Sequence, residues 1–222
     1  VYEIRYLGKD FVSIFVHFIL FRYFQETRMK FRMLFLLALF ASSCSTNNFS
    51  GEMPTPEQMS AAIEKASKLS KEHEFLSRIA GSWVAESKMW MDPSKEPEVT
   101  QGKQTNTLVI GNRYLETHFQ GVAMGKPFEG KGHMGFSNTS GKYFTTWVQN
   151  QDTALMTGEG IPTIDNNVVE IFTKATCPVD KKEYDFKDVY TIIDANHYKY
   201  EMFFDAGGTY IKSLEVNYTR AK

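Results

Sequence analysis

Apolar residues between positions 59 and 79 recur at steps of three and four: Met59, Ala62, Ile63, Ala66, Leu69, Leu76 and Ile79, with His73 in the same row and Lys and Glu opposite. That spacing predicts one amphipathic helix over 55–80. Thr55 stands as its N-cap, Pro56 at its first helical position and Gln58 where it completes a capping box. Gly81 ends it, where a left-handed residue is favoured. Beyond Gly81 the period falls to two and stays there. Strands are expected at 82–91, 104–110, 113–120, 128–137, 142–150, 153–159, 167–173, 184–194, 197–204 and 210–219. Turn residues separate them, among them Gly111-Asn112, Asn138-Thr139-Ser140-Gly141, Asp165-Asn166-Asn167, Ala195-Asn196 and Ala206-Gly207-Gly208. Strands joined by hairpins with no helix between them cannot build a parallel sheet. A meander this long hides its edges by closing. The expected fold is mainly β: an antiparallel up-and-down barrel of about ten strands over 81–222, its mouth or floor covered by the helix.

Strand parity assigns the faces. Trp83, Ala85 and Met89 point one way, as do Phe128, Gly130, Gly132, Met134 and Phe136, against Glu129, Lys131 and His133. The later inward sets are Tyr143, Thr145 and Trp147; Phe186, Tyr190 and Ile192; Tyr198, Tyr200, Met202 and Phe204; and Leu214, Val216, Tyr218 and Arg220. The alternate positions are largely polar, as a solvated exterior should be. Gly130 and Gly132 leave room on the inner side. A ligand lumen would be walled by Met89, Met134, Trp147, Tyr190, Tyr200 and Met202.

The amino-terminal part carries an address. Met29-Lys30-Phe31-Arg32 is basic, Met33 to Phe40 is apolar, and Ala41-Ser42-Ser43 precede Cys44. This is the three-part layout of a secretory signal over 29–43. Its apolar segment falls far short of the ~20 residues that span a bilayer. A cysteine directly after small residues resembles the lipobox read by lipoprotein signal peptidase, which implies cleavage before Cys44 and acylation of its thiol and new amino group. The bilayer would then be a partner through acylated Cys44. No aspartate follows the cysteine, so an outer-membrane destination facing the periplasm of a bacterial envelope is expected. Residues 44–54 are a polar tether. Residues 1–28, with the apolar run Phe11 to Phe24 broken by His17 and Arg22, read as upstream of the true start at Met29.

Composition narrows the partners. In 222 residues, 25 Lys and Arg against 26 Asp and Glu leave a formal net charge of −1, which offers no basic face for nucleic acid. The two cysteines are Cys44 and Cys177. With Cys44 lipidated, Cys177 has no disulfide partner and reads as a small apolar residue or a half-exposed thiol before Pro178.

Gly81-Ser82-Trp83 at the helix-to-strand junction, with Arg220 closing the last strand, looks like the lipocalin arrangement. There a tryptophan packs at the closed end of the barrel under an arginine from the final strand, so Trp83 and Arg220 become the expected closing pair. The wider pattern is Glu72-His73, Leu76, Ile79-Ala80-Gly81-Ser82-Trp83, Pro127-Phe128, Gly130, Gly135-Phe136, Lys142-Tyr143, Trp147, Gly158, Gly160 and Tyr218-Thr219-Arg220. It resembles the bacterial family catalogued as domain of unknown function 1579, over roughly residues 70–221. The resemblance implies a lipocalin-like barrel and no established activity. The chain departs from the family's pattern at Phe136-Ser137, where Tyr-Asp is usual, and at Gln149, where an acid is usual.

Catalytic hallmarks are missing. His73, His118, His133 and His197 fall in no zinc-binding spacing, so no metal site is expected. His73 reads as a packed histidine bonded to a loop carbonyl, and His133 as solvated. No G-x-S-x-G elbow or strand-to-helix glycine loop occurs. Gly158-Glu159-Gly160 reads as a turn, and so does Asp165-Asn166-Asn167. No catalytic residue or cofactor is assigned. Three readings stay open: a barrel that binds a small apolar molecule; an envelope structural or interaction protein with a filled barrel; and, ranked last, a haem barrel resembling nitrobindin with His197 or His118 on the iron. Oligomeric state is not legible.

Overall fold

A computed structural model describes residues 53–222. The segments read above as upstream sequence, signal and most of the tether, with Cys44, lie outside the described residues. Two helices, α1 (Pro56–Ser67) and α2 (Lys71–Ile79), precede ten strands. These are β1 (Gly81–Met89), β2 (Glu98–Val109), β3 (Tyr114–Ala123), β4 (Lys126–Ser137) and β5 (Lys142–Gln149). They continue as β6 (Met156–Gly160), β7 (Val168–Thr176), β8 (Glu183–Ile192), β9 (His197–Asp205) and β10 (Tyr210–Arg220). Each strand pairs antiparallel with the next, and β1 pairs with β10, so the meander closes into a barrel. The expected fold class is the observed one.

The single helix expected over 55–80 is divided. Ser70 adopts an extended conformation and caps α2, its N–H donating to Nδ1 of His73 at 3.1 Å. Two hairpins then bind the last carbonyls of α1. Asn138 Nδ2 donates to Ala66 O at 2.9 Å and to Lys68 O, and Arg113 Nη2 donates to Ser67 O at 2.9 Å. Orphan carbonyls satisfied from outside end a helix as firmly as a glycine does. The apolar stripe is divided with it: α1 buries no residue, whereas α2 buries His73, Phe75, Leu76 and Ile79. Thus α2 alone plugs one end of the barrel, where the Tyr143 hydroxyl donates to Glu72 O at 2.8 Å. In place of the bond expected from His73 to a loop carbonyl, its Nδ1 accepts from the Ser70 N–H, and burial depresses the imidazole pKa.

The sharp corner between α2 and β1 needs glycine. Gly81 has φ +119°, and a Cβ there would stand 2.6 Å from Nη1 of Arg220. The guanidinium crosses the corner to collect three carbonyls: Nε donates to Ala195 O at 2.9 Å, Nη1 to Ala80 O at 3.0 Å and Nη2 to Arg78 O at 3.1 Å. Its Cζ lies 4.1 Å from the Trp83 ring centroid, and Trp83 and Arg220 are register partners across the β1–β10 seam. One planar group therefore joins helix, first strand and last strand. Arg220→Lys keeps the charge but loses the fork, so we expect a loss of about 1–3 kcal/mol in urea unfolding. A variant within about 0.3 kcal/mol of wild type would show the clamp to be idle.

Parity holds along the wall. Leu115 and Phe119 of β3, Met134 and Phe136 of β4, and Val169 and Ile171 of β7 are buried, while Glu129, Lys131 and His133 are exposed. Gly158 and Gly160 do not form a turn. They lie within β6, where a Cβ on Gly160 would strike the Glu170 carbonyl of β7. Without side chains there, the short β6 can press against its neighbour. The Asp165-Asn166-Asn167 turn is observed, with Asp165 Oδ1 accepting from the Asn167 N–H at 2.9 Å.

Candidate functional site

Inward residues from all ten strands converge on the lumen, and its two halves differ. Near α2 it is solid. Gln104 and Asn106 of β2 are buried there and engage the hydroxyls of Tyr198 and Tyr218. Gln104 Nε2 donates to Tyr198 Oη at 2.6 Å, Tyr218 Oη donates to Gln104 Oε1 at 2.8 Å, and Asn106 Nδ2 donates to Ile79 O at 2.8 Å. Trp83 meets the edge of Tyr198, and Tyr198 stacks on Tyr218 with centroids 4.2 Å apart. Every polar tip in this plug has a partner, so the network is rigid rather than receptive.

Beyond the plug lies a cavity of about 380 Å³ that reaches the β3–β4 hairpin at Ala123 and Met124. Met89, Met134, Trp147, Tyr190, Tyr200 and Met202, the six residues expected to wall a lumen, all line it. The room expected over Gly130 and Gly132 is already taken. The Trp147 indole lies across both, so close that a Cβ on Gly130 would overlap it. The glycines let a large ring lie flat against the wall, and Nε1 of that ring donates to Gln149 Oε1 at 3.3 Å. Tyr190 and Tyr200 stand with ring centroids 4.8 Å apart. Burial pushes the pKa values of both hydroxyls upward, so both are neutral at physiological pH.

The inward set of β8 holds one more residue than Phe186, Tyr190 and Ile192. Position 188 falls between them at the same parity, and Asp188 is buried at 3 % exposure among the cavity-lining residues. Its Oδ1 makes no well-formed hydrogen bond, and neither does Oγ1 of the neighbouring buried Thr173 on β7. Burial raises the Asp188 carboxyl to about 7, with the Tyr200 and Thr173 hydroxyls pulling the other way. A strict count of two along β8 finds this carboxylate in the sequence; attention to apolar residues alone passes over it.

The histidines named for iron sit elsewhere. His118 Nε2 is 2.7 Å from Glu129 Oε1 on the outer wall, and His197 bonds Asp194 at 2.9 Å in the exposed β8–β9 hairpin. Neither reaches the lumen, because outward parity and a hairpin position turn both away from it. Cys177 is half-buried in the β7–β8 connection and free. Among the described residues no three His, Cys, Asp or Glu side chains converge as a metal site would require, and no helix is long and apolar enough to cross a membrane.

Known structures share the architecture. The crystal structure of Rv2717c from M. tuberculosis matches with a TM-score of 0.52 and 18% identity, covering 70% of this chain and 100% of that one. At that identity the likeness shows the fold alone. The S-type phycobiliprotein lyase CPES from Guillardia theta matches more loosely, with a TM-score of 0.47 and 11% identity over 76% of this chain and 99% of that one. A search of curated proteins gives no match. The sequence profile of one family, described as "Protein of unknown function (DUF1579)", matches residues 68–220, from the α1–α2 break to Arg220. With most of the chain and the whole barrel inside that match, this protein belongs to the DUF1579 family.

Proposed function

We propose that this chain is an exported lipoprotein, held to the bacterial outer membrane by acylated Cys44, whose barrel binds a small, mainly apolar molecule in its lumen. One observation carries the binding part: a cavity of about 380 Å³, walled by Met and aromatic side chains, persists beyond a plug whose polar groups are satisfied. Ligand pockets run from about 300 to 1,000 Å³, so the guest would be compact. A filled barrel acting only through its surface loops would not need this space. The test is to purify the chain from its native host, extract it with organic solvent and weigh what is released. A small molecule near one per chain, lost in Met202→Trp, is expected. A wild-type barrel that yields nothing, or a Met202→Trp barrel that yields as much, would return the reading to a structural or interaction role. A Soret band would instead favour haem.

The tether rests on the sequence of the signal segment and is tested separately. Cys44→Ala should move the protein from the membrane fraction to the soluble fraction, because the acyl chains supply the anchoring. Retention of the variant on membranes after a carbonate wash would exclude lipid tethering through Cys44.

A further inference from the structure

The lumen has a polarity of charge as well as a shape. Two carboxyl groups line it, Asp188 in mid-wall and Glu98 toward the rim, and no lysine or arginine does. His133 also touches the cavity wall, but its imidazole is exposed and faces Glu116 at 3.9 Å. Glu98 is already engaged, its Oε1 accepting from the Gly125 N–H at 3.3 Å. Asp188 is left partly open, its carboxyl engaged by the Tyr200 hydroxyl but unpaired at Oδ1. Its Oδ1 and the Thr173 Oγ1 are both buried without a well-formed hydrogen bond, whereas Gln104, Asn106, Tyr198 and Tyr218 of the plug are paired. A buried polar atom without a partner is a standing cost that a bound donor removes.

Resting on the lumen-binding reading above, we propose that the guest is a compact aromatic or aliphatic amine whose ammonium group is held by Asp188 and Thr173 beside the packed Tyr190 and Tyr200 rings. Three features of the wall converge on a cation. A carboxylate gains most from a charged donor. Thr173 Oγ offers the ammonium a second acceptor. Electron-rich ring faces attract a cation where water is scarce. With Asp188 ionised the same wall repels carboxylate guests, since an anion would find two carboxylates and no lysine or arginine. Fatty acids and other anionic amphiphiles are therefore selected against, which distinguishes this lumen from one built merely to hold grease.

Binding is then linked to a proton. The groups facing Asp188 are Thr173 and Ile171 from β7, Tyr190 from its own strand and Tyr200 from β9, with Tyr218 of β10 coupled to the tyrosine pair. All three tyrosines are held neutral by burial, so no second charge competes. The empty site holds Asp188 protonated below about 7. An ammonium guest requires it ionised, so binding expels a proton and strengthens as pH rises through that value.

The test uses calorimetry on the full chain in detergent, with detergent alone as reference, and three probes of one shape: tryptamine, tryptophol and indole-3-acetate. Tryptamine should bind about tenfold or more tighter than tryptophol, and indole-3-acetate should give no saturable heat. Tryptamine affinity should rise about tenfold between roughly pH 6 and pH 8, while tryptophol affinity stays flat. Asp188→Asn should remove both the preference and the pH slope, with a near-ultraviolet circular dichroism spectrum matching wild type to show the variant still folded. Tryptophol binding as tightly as tryptamine in wild type, or indole-3-acetate binding tightest, overturns the amine assignment and leaves the lumen reading standing. Silence from all three probes also overturns it, and the extracted native molecule then judges the lumen reading by itself.

Discussion

Trp83→Ala is expected to cost about 3–5 kcal/mol, enough to unfold a domain of ordinary stability. The indole is 2 % exposed and meets the edge of Tyr198 at 4.7 Å on one side and the Arg220 guanidinium on the other. Its Nε1–H donates to Ile79 O at 2.9 Å. That carbonyl keeps a second donor, Asn106 Nδ2 at 2.8 Å, so the loss comes from the cavity and the forfeited ring contacts rather than from a stranded acceptor. Trp83→Phe should recover most of the packing and lose only the hydrogen bond and part of the ring. Chemical unfolding of the three proteins measures this directly. A loss below about 1 kcal/mol for Trp83→Ala would mean that the α2 end of the barrel does not depend on its central ring.

The second large effect is a pH dependence with an unusual sign. An aspartate ordinarily loses stabilisation as pH falls. Asp188 does the reverse, because burial lifts its folded pKa from 3.8 to about 7. Between those values the native state holds a proton that the unfolded chain has released, so stability declines as pH rises and levels off above about 7. The decline attributable to this residue is roughly 4 kcal/mol between about pH 4 and pH 8. Asp188→Asn removes the titration, so the gap between variant and wild type should grow in the variant's favour by a similar amount over that window. Equal pH slopes for the two proteins would show that the carboxyl is hydrated or partnered in solution. A natural sequence that retains such a group accepts lower stability for something else, as expected where a buried charge serves a ligand.

The plugged end and the hollow part of the lumen behave differently. At the α2 end, Gln104, Asn106, Tyr198 and Tyr218 satisfy one another. In mid-wall Asp188 Oδ1 and Thr173 Oγ1 lack well-formed partners. The first arrangement holds a barrel shut; the second leaves it ready for a guest.

Much of this molecule follows from local rules. A period of two, interrupted by turn residues, determined the strands, the hairpins, the antiparallel order and the inner set that became the cavity wall, because alternation is a property of each strand by itself. The junction glycine was legible as a helix stop, and the role of its tryptophan through the lipocalin-like resemblance. Closure was reachable too, since ten paired strands leave two edges with only each other to meet. Tertiary structure decided the rest. A continuous apolar stripe promised one helix, yet Asn138 and Arg113, distant in sequence, bind the end of α1, and only α2 packs against the barrel. Gly130 and Gly132 promised open space, yet Trp147 from the next strand lies across them. The candidate site depended on the fold most of all. Parity alone places Asp188 on the inner face, apart from Asp185 and Lys187, but it does not say whether a carboxylate there finds a partner. Its unpaired burial is set by Thr173, Tyr200 and the far wall, and which partners a polar atom lacks is known only once every strand is in place.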